Sequence, residues 1–420
     1  MRFMSLWIHE CRQTLKSLIF YFYVAFVAIF FLTNMGSVNI RKEPVPGQES
    51  YGTKQSDDPS KVMSCTLGLL EEAYYHDNFQ TRPVGFTKHV QLSNEEKAEI
   101  NQILEDMTGM DETQRQNNYE KQVQENTIQL DNGAYTQVGV TELEPASGVS
   151  YEQFVENMER VDLILGGGSS YAEKRLSSNA SVDMTYEDAL EQYKNLVEKD
   201  RFTGGYARLF CDYMGIVLGI APIFMAVTRG LRDRRSQMQD VVYIRSVSSA
   251  TLILSRYLAM VFMMVLPVIL LSFLPLTQCL LYTSGAGISA DVLAFLKYSL
   301  WMLVPEILVV SAVGMMLTEF TQTALAIAVQ VFWWFLSLFS GVSDIYGGNY
   351  GWNLIPRNNS VLNYQKYAED LNQLVTNRIF YTFLALAFVI LTVLIYERKR
   401  KGGLDIRGKI HANRKIQSKI

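Results

Sequence analysis

The sequence predicts an all-α polytopic membrane protein, with six transmembrane helices and a large, mainly helical extracellular domain between the first and the second. Three observations carry this prediction. The chain of 420 residues is 49% hydrophobic, yet it also holds 38 Lys plus Arg and 42 Asp plus Glu, a combination that requires the charge to be segregated. Six apolar runs are long enough, or nearly so, to cross a bilayer. Basic residues gather in the short segments on one side of those runs, as they do on the cytoplasmic side of membrane proteins.

The stretch Tyr206 to Tyr257 organises the rest. An apolar run, Met214 to Val227, gives way to Arg229, Arg232, Arg234, Arg235, Arg245 and Arg256 set against Asp233 and Asp240, and an apolar run resumes at Leu258. Each arginine would cost several kcal/mol in hydrocarbon, so residues 229–256 read as a cytoplasmic hairpin between the second span (206–228) and the third.

Taken from the start, residues 1–16 place Phe3, Trp7, Cys11 and Leu15 at four-residue spacing with the charges mostly elsewhere, which predicts an amphipathic helix in the inner interface. The first span is 17–36. A cleaved signal peptide is the competing reading, and the small-residue cleavage pattern for it is poor. Residues 37–205 carry thirty Asp plus Glu against fifteen Lys plus Arg and read as an acidic extracellular domain. Ser93 followed by Glu96 has capping-box spacing ahead of Ile100, Ile103, Leu104 and Met107, and helical periodicity returns at Tyr151 to Leu165 and Tyr186 to Glu198. Gly166, Gly167 and Gly168 lack the Lys-Ser/Thr pair of a phosphate loop and read as a turn.

The third to fifth spans fill 257–342, as runs Leu258 to Tyr282, Tyr298 to Leu317 and Ala324 to Val342. An extracellular loop, 343–377, is expected to carry a short helix near Tyr364, Tyr367, Leu371 and Leu374. The sixth span is 378–396, and a basic cytoplasmic tail, 397–420, holds nine Lys plus Arg. Both termini are then cytoplasmic, with eighteen basic residues in the short inner segments against four in the outer loops: Arg357, Lys366, Lys297 and Arg378.

Cys11, Cys65, Cys211 and Cys279 form no disulfide framework or metal spacing, although a Cys65–Cys279 bridge stays open. His76 and His89 also lack a metal spacing, and no paired catalytic groups share one depth, so nothing points to a membrane enzyme. Glu306, after Pro305, reads as the only acidic residue deep within a span; it is expected to face the bundle interior, with Gln330 on the antiparallel fifth span as its polar partner and Ser337 a shorter alternative. Trp333 and Trp334 read as packing or as an interfacial belt.

The run DRRSQMQDVVYIRSVSSATLILSRYLAM resembles the charged hairpin of a type-2 ABC exporter permease, the transmembrane subunit of a bacterial ABC transporter. The pieces MTYEDALEQYKNLVEKDRFTGGYARLFCDYMGIVLGI, FWWFLSLFSG and YGWNLIPRNN are similar to permeases of the same class. The resemblance covers the membrane half and fades over Ser37 to Ser150. It implies a permease in the bacterial plasma membrane, paired with a second copy or a sibling permease and driven by a separate ATPase. This chain would bind no cofactor itself, ATP being used by the partner. The absence of a Walker motif fits that division of labour. On this reading Arg232, Asp233, Arg234, Arg235, Val241, Val242 and Ile244 couple to the ATPase, while Glu306 and Gln330 are candidates for the translocation path. Peptides, lipid-like and drug-like molecules all stay open as substrates, and no nucleic acid is expected. The alternative is an envelope sensor or scaffold that uses the extracellular domain for detection.

Overall fold

The computed structural model describes residues 2–56, 58–82, 87–125, 127–129, 135–137, 141–238, 242–244, 247–342 and 350–402. It is mostly helical with little sheet. The chain divides into two compact units, Met1–Lys42 with Gln192–Ile420, and Glu43–Glu191. The first unit opens with α1, Arg2–Leu15, and α2, Leu18–Met35.

The unit Glu43–Glu191 is narrower than the domain 37–205 expected from polarity. Its helices are α3, Pro59–Tyr75; α4, Asn94–Thr108; α5, Glu112–Glu125; α6, Tyr151–Ile164; the short α7, Leu176–Asn179; and α8, Tyr186–Lys194, inside which the boundary falls. Local chemistry starts them. Asp58 caps α3 ahead of Pro59, and Ser93 with Glu96 and Ser150 with Gln153 close reciprocal capping boxes on α4 and α6, each satisfying helix-end N–H groups that water would otherwise have to meet. Gly109 ends α4 in the left-handed conformation. Apolar positions one turn apart then bury a common core of Val62, Leu70, Ile100, Leu104, Phe154 and Met158 among others. Gly68 on α3 packs so close to the chain at Thr141 that a Cβ would lie 1.9 Å from the Thr141 carbonyl oxygen. Gly166, Gly167 and Gly168 all have positive φ, and the Gly168 carbonyl accepts from Arg82 N and Arg175 Nη1, so the glycine run is a turn.

Sheet is the feature the sequence did not announce. Among the described residues three antiparallel pairs of three-residue strands occur: β1 Thr53–Gln55 with β6 Ser181–Asp183, β2 Phe79–Thr81 with β3 Lys88–Val90, and β4 Thr127–Gln129 with β5 Tyr135–Gln137. Strands this short cannot display an alternating pattern.

The other unit continues with α9, Thr203–Leu218; α10, Ala221–Arg235; α11, Ser249–Ala286; α12, Ala294–Thr321; α13, Leu325–Val342; α14, Tyr364–Glu369; and α15, Leu371–Arg400. Among the described residues, four helices, α2, α11, α12 and α15, are long and apolar enough to cross a membrane, and α9 with α10 makes a fifth if that bent pair is one span. The expected sixth falls on α13, an apolar helix of 18 residues that does not reach the same standard of length over its described side chains.

Several boundaries differ from the sequence reading. The second span is not one helix: α9 and α10 meet at a 42° bend. Pro222 lacks an N–H and its ring clashes with a continuing helix, so the break is local chemistry. Beyond the break, α10 runs on through Arg229, Arg232 and Arg234 to Arg235, so the first half of the hairpin is helical. The third apolar run sits inside α11, whose 38 residues include Pro267 and Pro275; at about 1.5 Å per residue it exceeds a hydrocarbon core of about 30 Å. Of the segment expected as an extracellular loop, residues 343–349 lie outside the described residues and residues 350–363 pack against the helices, with Tyr350, Leu354, Ile355 and Asn358 buried. Tail residues 403–420 lie outside the described residues. All four cysteines are free, which removes the Cys65–Cys279 bridge.

Helix α1 buries Glu10, while Phe3, Met4, Ile8 and Leu15 are exposed together with His9 and Arg12, so apolar side chains are left on the outside as they are on a helix lying in a membrane interface.

Candidate functional site

The break between α9 and α10 frees backbone carbonyls, and α13 captures them. Trp334 Nε1 donates to Ile216 O at 2.7 Å, and Gln330 Nε2, one turn away, donates to Gly219 O at 2.7 Å. At the break Ile220 N turns to Val217 O and Ile223 N to Ile220 O, so the carbonyls of Ile216 and Gly219 lose their usual helical donors and the two side chains replace them, since an unpaired buried carbonyl costs about 1–3 kcal/mol. Trp334 is therefore a bracing residue at the bend as well as a packing one.

Glu306 on α12 lies against the same bend. It is 1% exposed, and its carboxylate faces the bare backbone of two glycines one turn apart. A Cβ on Gly219 would stand 3.1 Å from Oε1, and one on Gly215 would stand 3.4 Å from Oε2. The expected partner was Gln330, and that pairing does not occur: Gln330 spends its amide on Gly219. The nearest charge is Arg378, whose Nη1 is 3.8 Å from Glu306 Oε2, too far for a hydrogen bond. Among the described residues neither oxygen of Glu306, nor Oε1 of Gln330, has a hydrogen-bond partner.

Arg378 was counted as a loop-edge charge, and it is instead 3% exposed. Its guanidinium donates to Met302 O at 2.9 Å, Leu354 O at 3.0 Å and Asn377 Oδ1 at 2.6 and 2.9 Å. Asn377 in turn donates to Gly351 O and Asn353 O. The folded-in segment 350–363 thus supplies carbonyls that hold the cation. Glu306 is not the only buried acid either. Asp212 on α9 is 1% exposed and accepts from Arg357 Nε at 2.7 Å and Asn358 N at 2.8 Å. Arg357, also counted as an outer-loop charge, is the partner that makes its burial tolerable. Ahead of α9, burial pushes the Asp200 carboxyl up, although Arg208, bonded to it at 2.6 Å, pulls the other way.

A second cluster lies at the other end of α10. Arg229 binds Glu10 with two hydrogen bonds, of 2.8 and 2.6 Å. Asp233 accepts from Arg256 of α11 at 2.6 Å and lies 3.5 Å from Arg229. Burial would lift the Glu10 carboxyl, but Arg229 and then Arg256 outweigh it and hold it below the usual carboxylate range. Arg234 donates to Gln322 O in the turn after α12, Lys399 of α15 meets Glu319 at 3.3 Å, and Arg400 donates to Val247 O at 2.6 Å.

The expected coupling residues therefore divide. Asp233 and Arg234 are internal struts. Arg232 and Arg235 are exposed, and their guanidinium groups make no hydrogen bond or ion pair among the described residues. Val242 is half-buried beside Tyr243, Ile244 is 82% exposed, and Val241 lies outside the described residues. Sequence reasoning missed Glu10, Asp212, Trp334, Arg357 and Arg378. For Asp212 a signal existed, an acid inside an apolar run, which demands a partner. No group of His, Cys, Asp and Glu suited to a metal ion occurs among the described residues.

Comparison with known proteins adds no relative: no protein-family model, no curated protein and no solved structure matches this chain.

Proposed function

We propose that the chain is the membrane-spanning permease subunit of an ATP-driven exporter of the type-2 ABC class, coupled to a separate ATPase and paired with a second permease. Six spans, counting the bent α9–α10 pair and α13, put both termini in the cytoplasm and residues 43–191 outside. One observation carries the reading: α10 joins two buried polar clusters, one at each of its ends. At one end it abuts the bend where Glu306, Gln330 and Arg378 sit. At the other, its charged residues are locked to α1, α11 and the turn after α12. Its fifteen residues span about 22 Å at 1.5 Å per residue, so a push on the cytoplasmic segment moves the buried polar site as a rigid element. The buried Glu306, with open acceptor capacity, is the polar point on the translocation path. The exposed Ile244 and its neighbours receive the ATPase.

Purification of the tagged full-length chain from its native membranes in mild detergent tests the reading. Vanadate-sensitive ATP hydrolysis should co-elute with it and be lost in Ile244→Asp, a change at an exposed position. Intact chain that elutes without any ATPase favours the sensor or scaffold reading and removes this one. In a Cys11→Ser background, an impermeant thiol reagent applied to whole cells should label Ser147→Cys and miss Ser236→Cys. The opposite pattern inverts the topology.

A further inference from the structure

We infer that the cleft enclosed by α1, α2, α10 and α11 binds the phosphate headgroup of an anionic membrane lipid. The cleft has a volume of about 480 Å³, within the range of small-ligand sites. Five cations line it, Lys16, Arg229, Arg232, Arg235 and Arg256, with Glu10 the only acid among the lining residues. Glu10 and Asp233 neutralise Arg229 and Arg256. Five positive charges less two negative ones leave three, and these belong to Lys16, Arg232 and Arg235, whose charged side-chain groups have no hydrogen bond or ion pair among the described residues. The paired arginines form a fixed wall, and the unpaired cations stand free before it. On the wall, the Nε–H of Arg256 is buried with no hydrogen-bond acceptor.

Two further features select a phosphate attached to a lipid. Ser17, the N-cap of α2, lines the cleft and makes no side-chain capping bond, so its hydroxyl and the positive end of an 18-residue helix are available to an anion. Ile19, Met225 and Met260 continue the lining, and the lipid-facing side of α2 begins beside them with Leu18, Tyr21 and Phe22 exposed. A phosphodiester seated on the cations thus has an apolar path for its acyl chains. A soluble phosphate would gain nothing from that path. The inference rests on the membrane reading above, and it moves Arg232 and Arg235 from the ATPase contact to the lipid.

Native mass spectrometry of the full chain, titrated with phosphatidylglycerol, phosphatidylcholine or inorganic phosphate, tests it. One phosphatidylglycerol should remain bound to each chain, with phosphatidylcholine at least about tenfold weaker and millimolar phosphate unable to displace it. The triple variant Lys16→Gln, Arg232→Gln, Arg235→Gln should bind phosphatidylglycerol about a hundredfold more weakly, at the roughly 1 kcal/mol that each basic residue contributes to anionic-lipid attraction. Arg232→Lys with Arg235→Lys should retain it, which separates lost charge from lost fold. Equal retention by the triple variant, equal binding of phosphatidylcholine, or displacement by phosphate each overturns the lipid assignment. Loss of co-eluting ATPase with lipid binding intact also overturns it and returns the cleft to the protein partner. Loss of lipid with the ATPase still bound supports it.

Discussion

Two buried Arg–Glu pairs, one in each unit, show opposite solutions to the same problem. In the unit Glu43–Glu191, Arg115 is fully buried and donates to Glu71 Oε2 at 2.8 Å, to Met110 O at 2.8 Å and to Asn101 Oδ1. In the helical unit, Arg378 is equally enclosed, yet its donors go to carbonyls and to Asn377, and Glu306 stands 3.8 Å away with no hydrogen bond. The first pair is closed and ties α3 to α5. The second is held open, because the bend at Gly219 and the folded-in segment claim the groups that would have closed it. A buried pair with its hydrogen bonds made is a clasp, whereas one left unbonded retains the capacity to take a proton or a ligand.

The largest effect expected from breaking this comparison is at the closed pair. Arg115→Met strands a buried carboxylate and should destabilise residues 43–191 by about 3–5 kcal/mol. Hydrogen exchange on the full chain should show α3 and α5 losing protection while α12 keeps it; equal loss in both units contradicts the assignment of a local clasp.

Next come two glycines that allow close approach. Gly68→Ala drives a Cβ to within 1.9 Å of a backbone carbonyl, whereas Gly219→Ala meets side chains only, Ile355 Cδ1 at 2.8 Å, the Trp334 ring at 3.0 Å and Glu306 Oε1 at 3.1 Å. Overpacking costs about 1–3 kcal/mol, and Gly68→Ala should sit at or above the top of that range with Gly219→Ala near its foot. Thermal unfolding of the two variants ranks them, and the reverse order refutes the packing described around the bend.

The Glu10–Arg229 clasp gives a pH test. Glu10 is held below its ordinary value of 4.5, so its contribution is present above that pH and disappears as pH falls through the lower folded-state value. Glu10→Gln should therefore lower stability by about 1.5–3 kcal/mol at pH 7, the scale of a charge-assisted bond, and the gap from the parent should close as pH falls below 4.5. A gap that persists in acid would falsify the ionic origin of the clasp.

Glu306→Gln should have the smallest stability effect, under about 1 kcal/mol, because no hydrogen bond of the carboxylate is lost. Normal expression with loss of ATP-driven transport places Glu306 on the working path; unchanged transport reduces it to packing.

The sequence displayed much of the frame. Apolar runs located α2, α11, α12 and α15, and Ser93 with Glu96 foretold a cap, because these are signals of composition or of neighbours three and four residues apart. The site was less legible. Glu306 was singled out as a buried acid, but its neighbour Arg378 lies 72 positions along the chain and looked like a loop charge, since a sequence does not reveal that residues 350–363 fold inward to supply carbonyls. Pro222 was a readable signal for the bend, masked by the apolar run around it. Periodicity set the charges of α1 mostly off the stripe from Phe3 to Leu15, but it gave no sign that Arg229 and Arg256 hold Glu10 inside.

The bond from Gln330 to the Gly219 carbonyl joins positions 111 residues apart, and this has a consequence for biosynthesis. At about 5–20 residues per second of translation, the carbonyl waits on the order of 6–22 seconds before its donor has been made. In the membrane reading proposed above, a free carbonyl in hydrocarbon costs several kcal/mol, so α9 and α10 should linger beside the insertion machinery or its water until α13 arrives. Shortening the chain just before Leu325 should then leave the bent pair extractable from the membrane, while α2 remains embedded.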